Sequence, residues 1–155
     1  MRYHAIDNSL YIKNRTNFVK HLKEKSLAVF NSNDLMPTNA DGVMPFRQNN
    51  DLLYLSGIDQ EDTILVIFPD AANLKYREIL FIKETSELIA IWEGEKFSIE
   101  GATKQSGIET VYWISEFEQI FHSLTVEAES IYLNQNEHLR AVTTVETCDD
   151  RFRAT

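Results

Sequence analysis

The sequence is poor in the residues that build covalent and phosphate-binding sites. Cys148 is its only cysteine, which excludes an intramolecular disulfide and a site of several thiolates within one chain. Its five glycines are dispersed and form neither a P-loop nor a GxGxxG fingerprint, and no GxSxG elbow occurs. Acidic neighbours, Asp149 and Asp150, disfavour a thiolate nucleophile at Cys148. These absences argue against nucleotide binding and nucleophilic catalysis.

Basic charge and long apolar runs are also scarce. The 155 residues include 24 acidic and 15 scattered basic residues, a formal net charge of -9, which argues against nucleic-acid binding. Apolar runs such as Ile64 to Phe68 are too short to span a bilayer, and the N-terminus lacks a signal-peptide pattern. We therefore expect a cytoplasmic protein without nucleic-acid or membrane partners. Its length and 43% hydrophobic content predict a single domain over residues 1–155.

Hydrophobic patterning predicts strands interleaved with helices. An amphipathic helix is expected over residues 10–25, its apolar face carrying Leu10, Tyr11, Phe18 and Leu22. Strands are predicted at 27–31, 63–69, 77–83, 110–114 and 130–134. Residues 63–69 and 77–83 are expected to be antiparallel neighbours at the centre of the sheet. Further helices are predicted at 86–92, 98–107 and 115–124. The order indicates an α/β fold: a mixed β-sheet flanked by helices in three layers.

Helix-capping residues support two of these helices. Ser98 and Gly107 are a plausible N-cap and C-cap for the helix at 98–107. Ser115 with Glu118 has the spacing of a capping box at the start of the helix at 115–124.

A metal site finds no support in the spacing of acidic residues and histidines. No two of the histidines stand three or four positions apart, as helical metal-ligand pairs require: His4, His21, His122 and His138. The acidic group at 59–62 is interpreted as solvated turn and cap residues: Asp59, Glu61 and Asp62. The sequence therefore predicts no catalytic residue and no metal ligand in this chain.

Two polar features remain without a simple explanation. Residues 47–51 place a polar run where a strand or a buried turn should begin, and buried polar groups need partners. We expect Arg47, Gln48 and Asn49 to form a hydrogen-bond network that ties the preceding long loop to the sheet. Trp92 lies on a polar, glycine-containing turn, where an aromatic residue either joins the core or anchors an interface.

Around these two features the sequence resembles the N-terminal domain of Xaa-Pro aminopeptidases (aminopeptidase P and its creatinase and prolidase relatives). The resemblance is carried by "MPFRQNNDLLYLSGIDQEDTILVIFP" (44–69) and continues through "REILFIKE" (77–84), "IAIWEGEKFSIEGATKQSGI" (89–108) and "SEFEQIF" (115–121). It extends from about residue 26 to the end, where "HLRAVTTVETCDDRF" (138–152) resembles the stretch leading to the catalytic half. The chain departs from the family at 58–61, where many relatives carry Phe-x-Glu-Pro, and at Glu93, where some have an aromatic.

The resemblance implies a creatinase-type N-terminal fold and a parent enzyme that removes an N-terminal residue preceding proline. Family members bind two divalent metal ions, commonly manganese, in a C-terminal "pita-bread" catalytic domain that this sequence does not include. The implied partners are that catalytic domain, other subunits of a homo-oligomer and, for the parent, a peptide with proline at its second position. The N-terminal domain serves oligomer assembly and active-site access in the family, and Trp92 aligns with the residue that reaches a neighbouring subunit's site. By the resemblance, this chain alone is inactive and binds no cofactor.

Two alternatives remain open. Beside the N-terminal domain of a Xaa-Pro aminopeptidase, the chain could be a stand-alone binding or assembly module that has lost its hydrolase. It could also be the N-terminal domain of a related prolidase or creatinase. The "DDRFRAT" ending, which follows no completed element, favours a truncated parent over a stand-alone module. The "FRQNND" and "WEGEK" segments favour aminopeptidase P over its relatives.

Overall fold

A five-stranded mixed sheet forms the middle layer of the computed structural model, which describes residues 6–86, 88, 91 and 94–134. Its strands are β1 (Ser26–Asn31), β2 (Ile64–Ile67), β3 (Glu78–Ile82), β4 (Thr110–Trp113) and β5 (Ser130–Leu133). The strand order is β4-β3-β2-β1-β5. The pairs of β2 with β1 and β3 are antiparallel, and the outer pairs are parallel. The predicted antiparallel pairing of 63–69 with 77–83 at the sheet centre is confirmed.

Helices cover both faces of the sheet because the central strands are apolar on both sides. The described helices are α1 (Ser9–Val19), α2 (Asn50–Ser56), α3 (Ile99–Ser106) and α4 (Phe117–Glu127), with 3-10 turns at Leu74–Tyr76 and Ile114–Glu116. Leu65 and Ile67 pack in one core with residues of α1, α2 and α3. Val66 and Phe68 point into a second core closed by α4. The three-layer α/β fold predicted from the sequence is confirmed, and no described helix is long and apolar enough to cross a membrane.

The first helix is shorter than predicted, and its buried face differs. It ends at Val19 rather than residue 25, and Leu10 is 44% exposed. Tyr11 is buried as predicted, and Phe18 and Leu22 pack partly buried against the core, but the helix also buries Asn14 and Arg15. Counting apolar residues missed these two positions because they are polar side chains with partners on other elements.

Residues 50–56 form a helix rather than the expected strand or buried turn. The side chain of Asn49 caps α2 by accepting hydrogen bonds from the backbone N–H groups of Asp51 and Leu52. The helix ends at Gly57, whose φ of 71° is left-handed. The polar run is therefore a helix start, because its amide side chain replaces the missing acceptor of the first turn.

The two predicted caps have different outcomes. Ser98 accepts a hydrogen bond from the N–H of Gly101 at 3.0 Å, and Gly107 ends α3 with φ 71°, as predicted. The capping box at Ser115 is wrong, because a 3-10 turn occupies 114–116 and α4 begins at Phe117 without a side-chain cap. Most of the predicted helix at 86–92 and the tail from 135 to 155, with Cys148 and His138, lie outside the described residues.

Candidate functional site

Glu61 is a buried carboxylate that contacts lysines at both ends of one segment of the chain. Its Oε1 accepts a hydrogen bond from Lys96 Nζ at 2.5 Å and lies 3.6 Å from Lys83 Nζ. Lys83 directly follows β3 and Lys96 precedes α3, so the two lysines flank residues 84–95, which we call the 84–95 segment. One carboxylate therefore fixes both ends of this segment. The interpretation of Glu61 as solvated is wrong, since it is 6% exposed.

Ion pairing keeps this buried carboxylate charged. Burial by itself would raise the pKa of Glu61, but the hydrogen bond from Lys96 and the charges of Lys96 and Lys83 outweigh it, so the pKa is lowered. Glu61 is accordingly ionised at neutral pH. The cluster combines two cations with one anion, an arrangement suited to holding chain segments together.

Gln60 continues the same attachment through hydrogen bonds. Its side-chain Oε1 accepts from the backbone N–H of Phe97 at 2.7 Å, and its carbonyl accepts from Gln48 Nε2 at 2.7 Å. Gln60 is 3% exposed, and its Nε2 has no hydrogen-bond partner among the described residues. Residues 60 and 61 together bind residues 96 and 97, which directly follow the 84–95 segment.

The structure assigns different contacts to the three residues predicted to form a polar network. Gln48 is buried and also donates to the carbonyl of Ile58 at 3.0 Å, while its Oε1 accepts from the N–H of Asn49. Asn49 caps α2, as described above. Arg47 is exposed; its carbonyl accepts from Asn33 Nδ2 at 2.9 Å, and its guanidinium makes no hydrogen bond to a described residue. These contacts connect the long loop to the region that holds Glu61.

A cleft of about 500 Å³ opens between the two ends of the 84–95 segment. Its walls include Thr85 and Ser86 on one side, Glu95 and Lys96 on the other, and the half-buried Trp113. Trp92, the residue singled out by the sequence, lies outside the described residues. Its predicted contact with a neighbouring subunit therefore stays a prediction.

Sequence reasoning missed the residues that hold this segment. Gln60 and Glu61 lie a few residues before the apolar run of β2, and a charge close to the start of a buried strand was the one signal available. The lysines gave no signal, because their partner lies 22 and 35 positions away in sequence.

The described part of the chain contains no candidate metal site. No group of three or more His, Cys, Asp or Glu residues there could hold a metal ion. Glu61 is already engaged by two lysine ammonium groups, which makes it a poor cation ligand. The contacts of Gln60 and Glu61 position the backbone around the 84–95 segment.

Comparison with known proteins identifies the family. The model of the aminopeptidase P N-terminal domain matches residues 11–132. The Xaa-Pro aminopeptidase of Escherichia coli is 22% identical over 148 residues, covering 96% of this chain and 33% of that protein. Human Xaa-Pro aminopeptidase 3 is 27% identical over 89 residues, covering 56% of this chain and 18% of that protein. This chain thus spans a third or less of the length of these relatives.

Solved structures share the fold. An aminopeptidase from Pseudomonas aeruginosa matches with a TM-score of 0.77 at 22% identity, covering 86% of this chain and 30% of that chain. Escherichia coli aminopeptidase P, solved in complex with substrate and in a zinc-substituted form with product, matches with TM-scores of 0.76 and 0.75. Both matches are 22% identical and cover 89% of this chain and 31% of theirs. Because the family model matches most of its residues, the chain belongs to the aminopeptidase P N-terminal domain family.

Proposed function

We propose that this chain is the non-catalytic N-terminal domain of a Xaa-Pro aminopeptidase, an exopeptidase that releases the N-terminal residue before proline. The observation that carries the proposal is the family match over residues 11–132, in a chain that spans a third or less of its relatives. The names of those relatives favour aminopeptidase P over prolidase or creatinase. Peptide cleavage is assigned to a part of the parent outside this family domain.

The metal ions implied by the resemblance belong to that other part of the parent. The described residues do not fit a dinuclear manganese site, because they contain no suitable ligand group. No catalytic step is therefore assigned to the described residues. The chain's contribution to the parent is geometric.

The first geometric role is active-site access, assigned to the 84–95 segment. Two apolar side chains of this segment, Leu88 and Ile91, are 75% and 73% exposed. Exposed apolar side chains on a segment whose two ends are fixed suit contact with another domain or subunit. Glu61 would act as a positioning residue by setting where the segment, and with it Trp92, leaves the sheet.

The second role is assembly, assigned to the edge of the sheet at β5. All four residues of β5 are exposed, and Leu133 is 71% exposed although the strand pairs with β1. An exposed edge strand with apolar side chains favours pairing or packing with another polypeptide. The catalytic half of the parent and a second subunit are the proposed occupants.

Substitution of Trp92 tests the access role. We compare Trp92→Ala with Leu74→Ala in the longest product of the gene that contains this chain, using an Ala-Pro peptide with added manganese. Leu74 is the control because it is 70% exposed on the 3-10 turn after β2. Loss of an aromatic anchor should lower kcat/KM by about fivefold or more in Trp92→Ala alone. Equal activity of the two variants would remove the role from Trp92.

Location and domain organisation follow as further proposals. We place the protein in the cytoplasm, which fractionation of cells that express a tagged chain tests. We treat residues 1–155 as one domain, which predicts that limited proteolysis releases no stable half.

A further inference from the structure

A second cleft, formed by residues of α1, α2 and β1, has no part in the proposed function. It occupies about 450 Å³ between α1, α2 and β1, within the size range of small-molecule sites, roughly 300–1,000 Å³. The side chains along it are mainly aromatic or hydrogen-bond acceptors. Those that carry the argument are Phe18, Phe30, Tyr54, Asp51 and Asn14.

Three aromatic rings line this cleft. Phe18 and Phe30 meet edge to face, with ring centroids 5.2 Å apart and planes at 76°, and both are half-buried. This pair is a fixed wall, since both rings pack against the core beneath the sheet. Tyr54 of α2 supplies the third ring and is 58% exposed, so its ring is available to a ligand.

The polar groups of the cleft are mostly acceptors. The carboxylate of Asp51 makes no hydrogen bond or ion pair with any described residue. Asn14 uses its Nδ2 to donate to the carbonyl of Tyr54 at 2.8 Å, which leaves Oδ1 as its remaining group. Asn17 accepts a hydrogen bond from Lys20, and His21 also lines the cleft.

We propose that this cleft binds an organic ammonium ion, meaning a positive charge carried on a short apolar stem. Aromatic faces attract cations, and a desolvated cation gains most from such contact. The carboxylate of Asp51 adds an opposite charge, in a chain whose net charge is already -9. An anionic ligand would meet the same carboxylate and aromatic faces and be repelled. The inference does not depend on the chain's belonging to a peptidase.

Matched probes separate charge from shape. Choline, n-butylammonium and 3,3-dimethyl-1-butanol, a neutral analogue of choline, are titrated into the chain while NMR follows the His21 imidazole and Tyr54 ring signals. We expect saturable shifts with the cations and binding at least about two- to fivefold weaker for the neutral alcohol. Preference for choline identifies a quaternary ammonium site, and preference for n-butylammonium identifies a site for a primary amine such as a lysine side chain. No saturable shift with either cation, or equal affinity for the alcohol, overturns the proposal.

Two variants locate the binding. Asp51→Asn keeps the shape of the side chain and removes its charge, and Tyr54→Leu keeps an apolar side chain and removes the ring. Each should weaken cation binding by about two- to fivefold, with the circular dichroism spectrum unchanged. Asp59→Asn is the matched control, because Asp59 is an exposed carboxylate that does not line the cleft. Equal loss of affinity in Asp59→Asn would mean that general charge, and not this cleft, attracts the cation.

Discussion

At the scale of single residues, Arg15 of α1 forms hydrogen bonds with three other elements. It is 0% exposed, and its Nε donates to Glu78 Oε2 at 2.9 Å. Its Nη1 donates to the carbonyls of Leu55 and Ser106 at 2.8 and 3.0 Å. These carbonyls belong to the last turns of α2 and α3, where a cation also opposes the negative end of the helix dipole. One side chain of α1 thus joins two helices and β3.

We expect Arg15→Met to be strongly destabilising. The methionine fills part of the space but leaves two helix-end carbonyls and Glu78 without their donor, which should cost about 3 kcal/mol of the free energy of unfolding. Urea denaturation measures the change. Lys13→Met is the control, because Lys13 is exposed on the same helix and its substitution should change stability by less than about 0.5 kcal/mol. Similar stabilities for the two variants would show that Arg15 is not a structural link.

Glu61 should make stability depend on pH in one direction. Its folded pKa is lowered, so its contribution to stability is present above its unfolded pKa and is lost as pH falls through the folded pKa. The difference in unfolding free energy between the wild type and Glu61→Gln should be largest at neutral pH and shrink below about pH 4.3. Urea denaturation across that range measures it. If this difference in unfolding free energy stays constant, or grows in acid, Glu61 is not stabilised by ion pairs with Lys83 and Lys96.

Neither of these residues could be found from sequence spacing. Arg15 and its partners Glu78 and Ser106 are 63 and 91 positions apart. Such contacts exist only once the layers have assembled, and hydrophobic periodicity contains no information about them. The caps of α3 were predictable because their donors and acceptors lie within a few positions of one another.

At the scale of elements, α2 and α3 end in the same way. Each finishes in Ser-Gly-Ile, at 56–58 and 106–108. In each, the serine hydroxyl donates to the carbonyl four residues earlier at 2.7 Å and accepts from the isoleucine N–H. Both glycines have φ 71° and lie against α1. The shared ending brings both helix C-termini to Arg15.

Gly57→Ala should cost more than a left-handed alanine alone. A Cβ at this position would lie 2.3 Å from the ring of Tyr11, so strain and overpacking together should cost about 2 to 4 kcal/mol. Gly94 has φ 81°, and apart from its chain neighbours no described residue places an atom within 4 Å of its Cβ position, so Gly94→Ala should cost about 1 kcal/mol. Thermal unfolding of the two variants compares them directly. Equal losses would mean that the close approach of α1 to α2 is unimportant.

Element prediction succeeded where the chain is uniformly apolar and failed where a polar side chain starts a helix. The two central strands were predictable because runs such as 63–69 are almost entirely apolar. Helix α2 was not, because its seven residues are too few for a periodic pattern and its cap, Asn49, is also typical of turns.

At the scale of the whole molecule, the layered fold follows from strands that are apolar on both faces, which require cover from helices on both sides. Edge strand β5 is the exception, since every residue of it is exposed. The sequence of β5 gave no sign of this exposure, because strand propensity does not report which strand is outermost. The exposure of β5 therefore follows from its position at the end of the strand order.

We expect the isolated chain to self-associate weakly through this edge. Leu133→Lys should abolish concentration-dependent association, because a lysine on an edge strand opposes pairing with another copy. Sedimentation velocity over a range of concentrations measures it. Leu74→Lys is the matched control, since Leu74 is as exposed as Leu133 but lies on the 3-10 turn. A wild-type chain that stays monomeric at high concentration would contradict the expectation.

The most direct test of the central claim is a peptidase assay on an Ala-Pro peptide with added manganese. The assay compares this chain with the longest product of the same gene that contains it. We expect the longer product to release the N-terminal residue and this chain alone to release none. Cleavage by these 155 residues alone would contradict the account, because it would require a catalytic site within a chain that we interpret as an accessory domain.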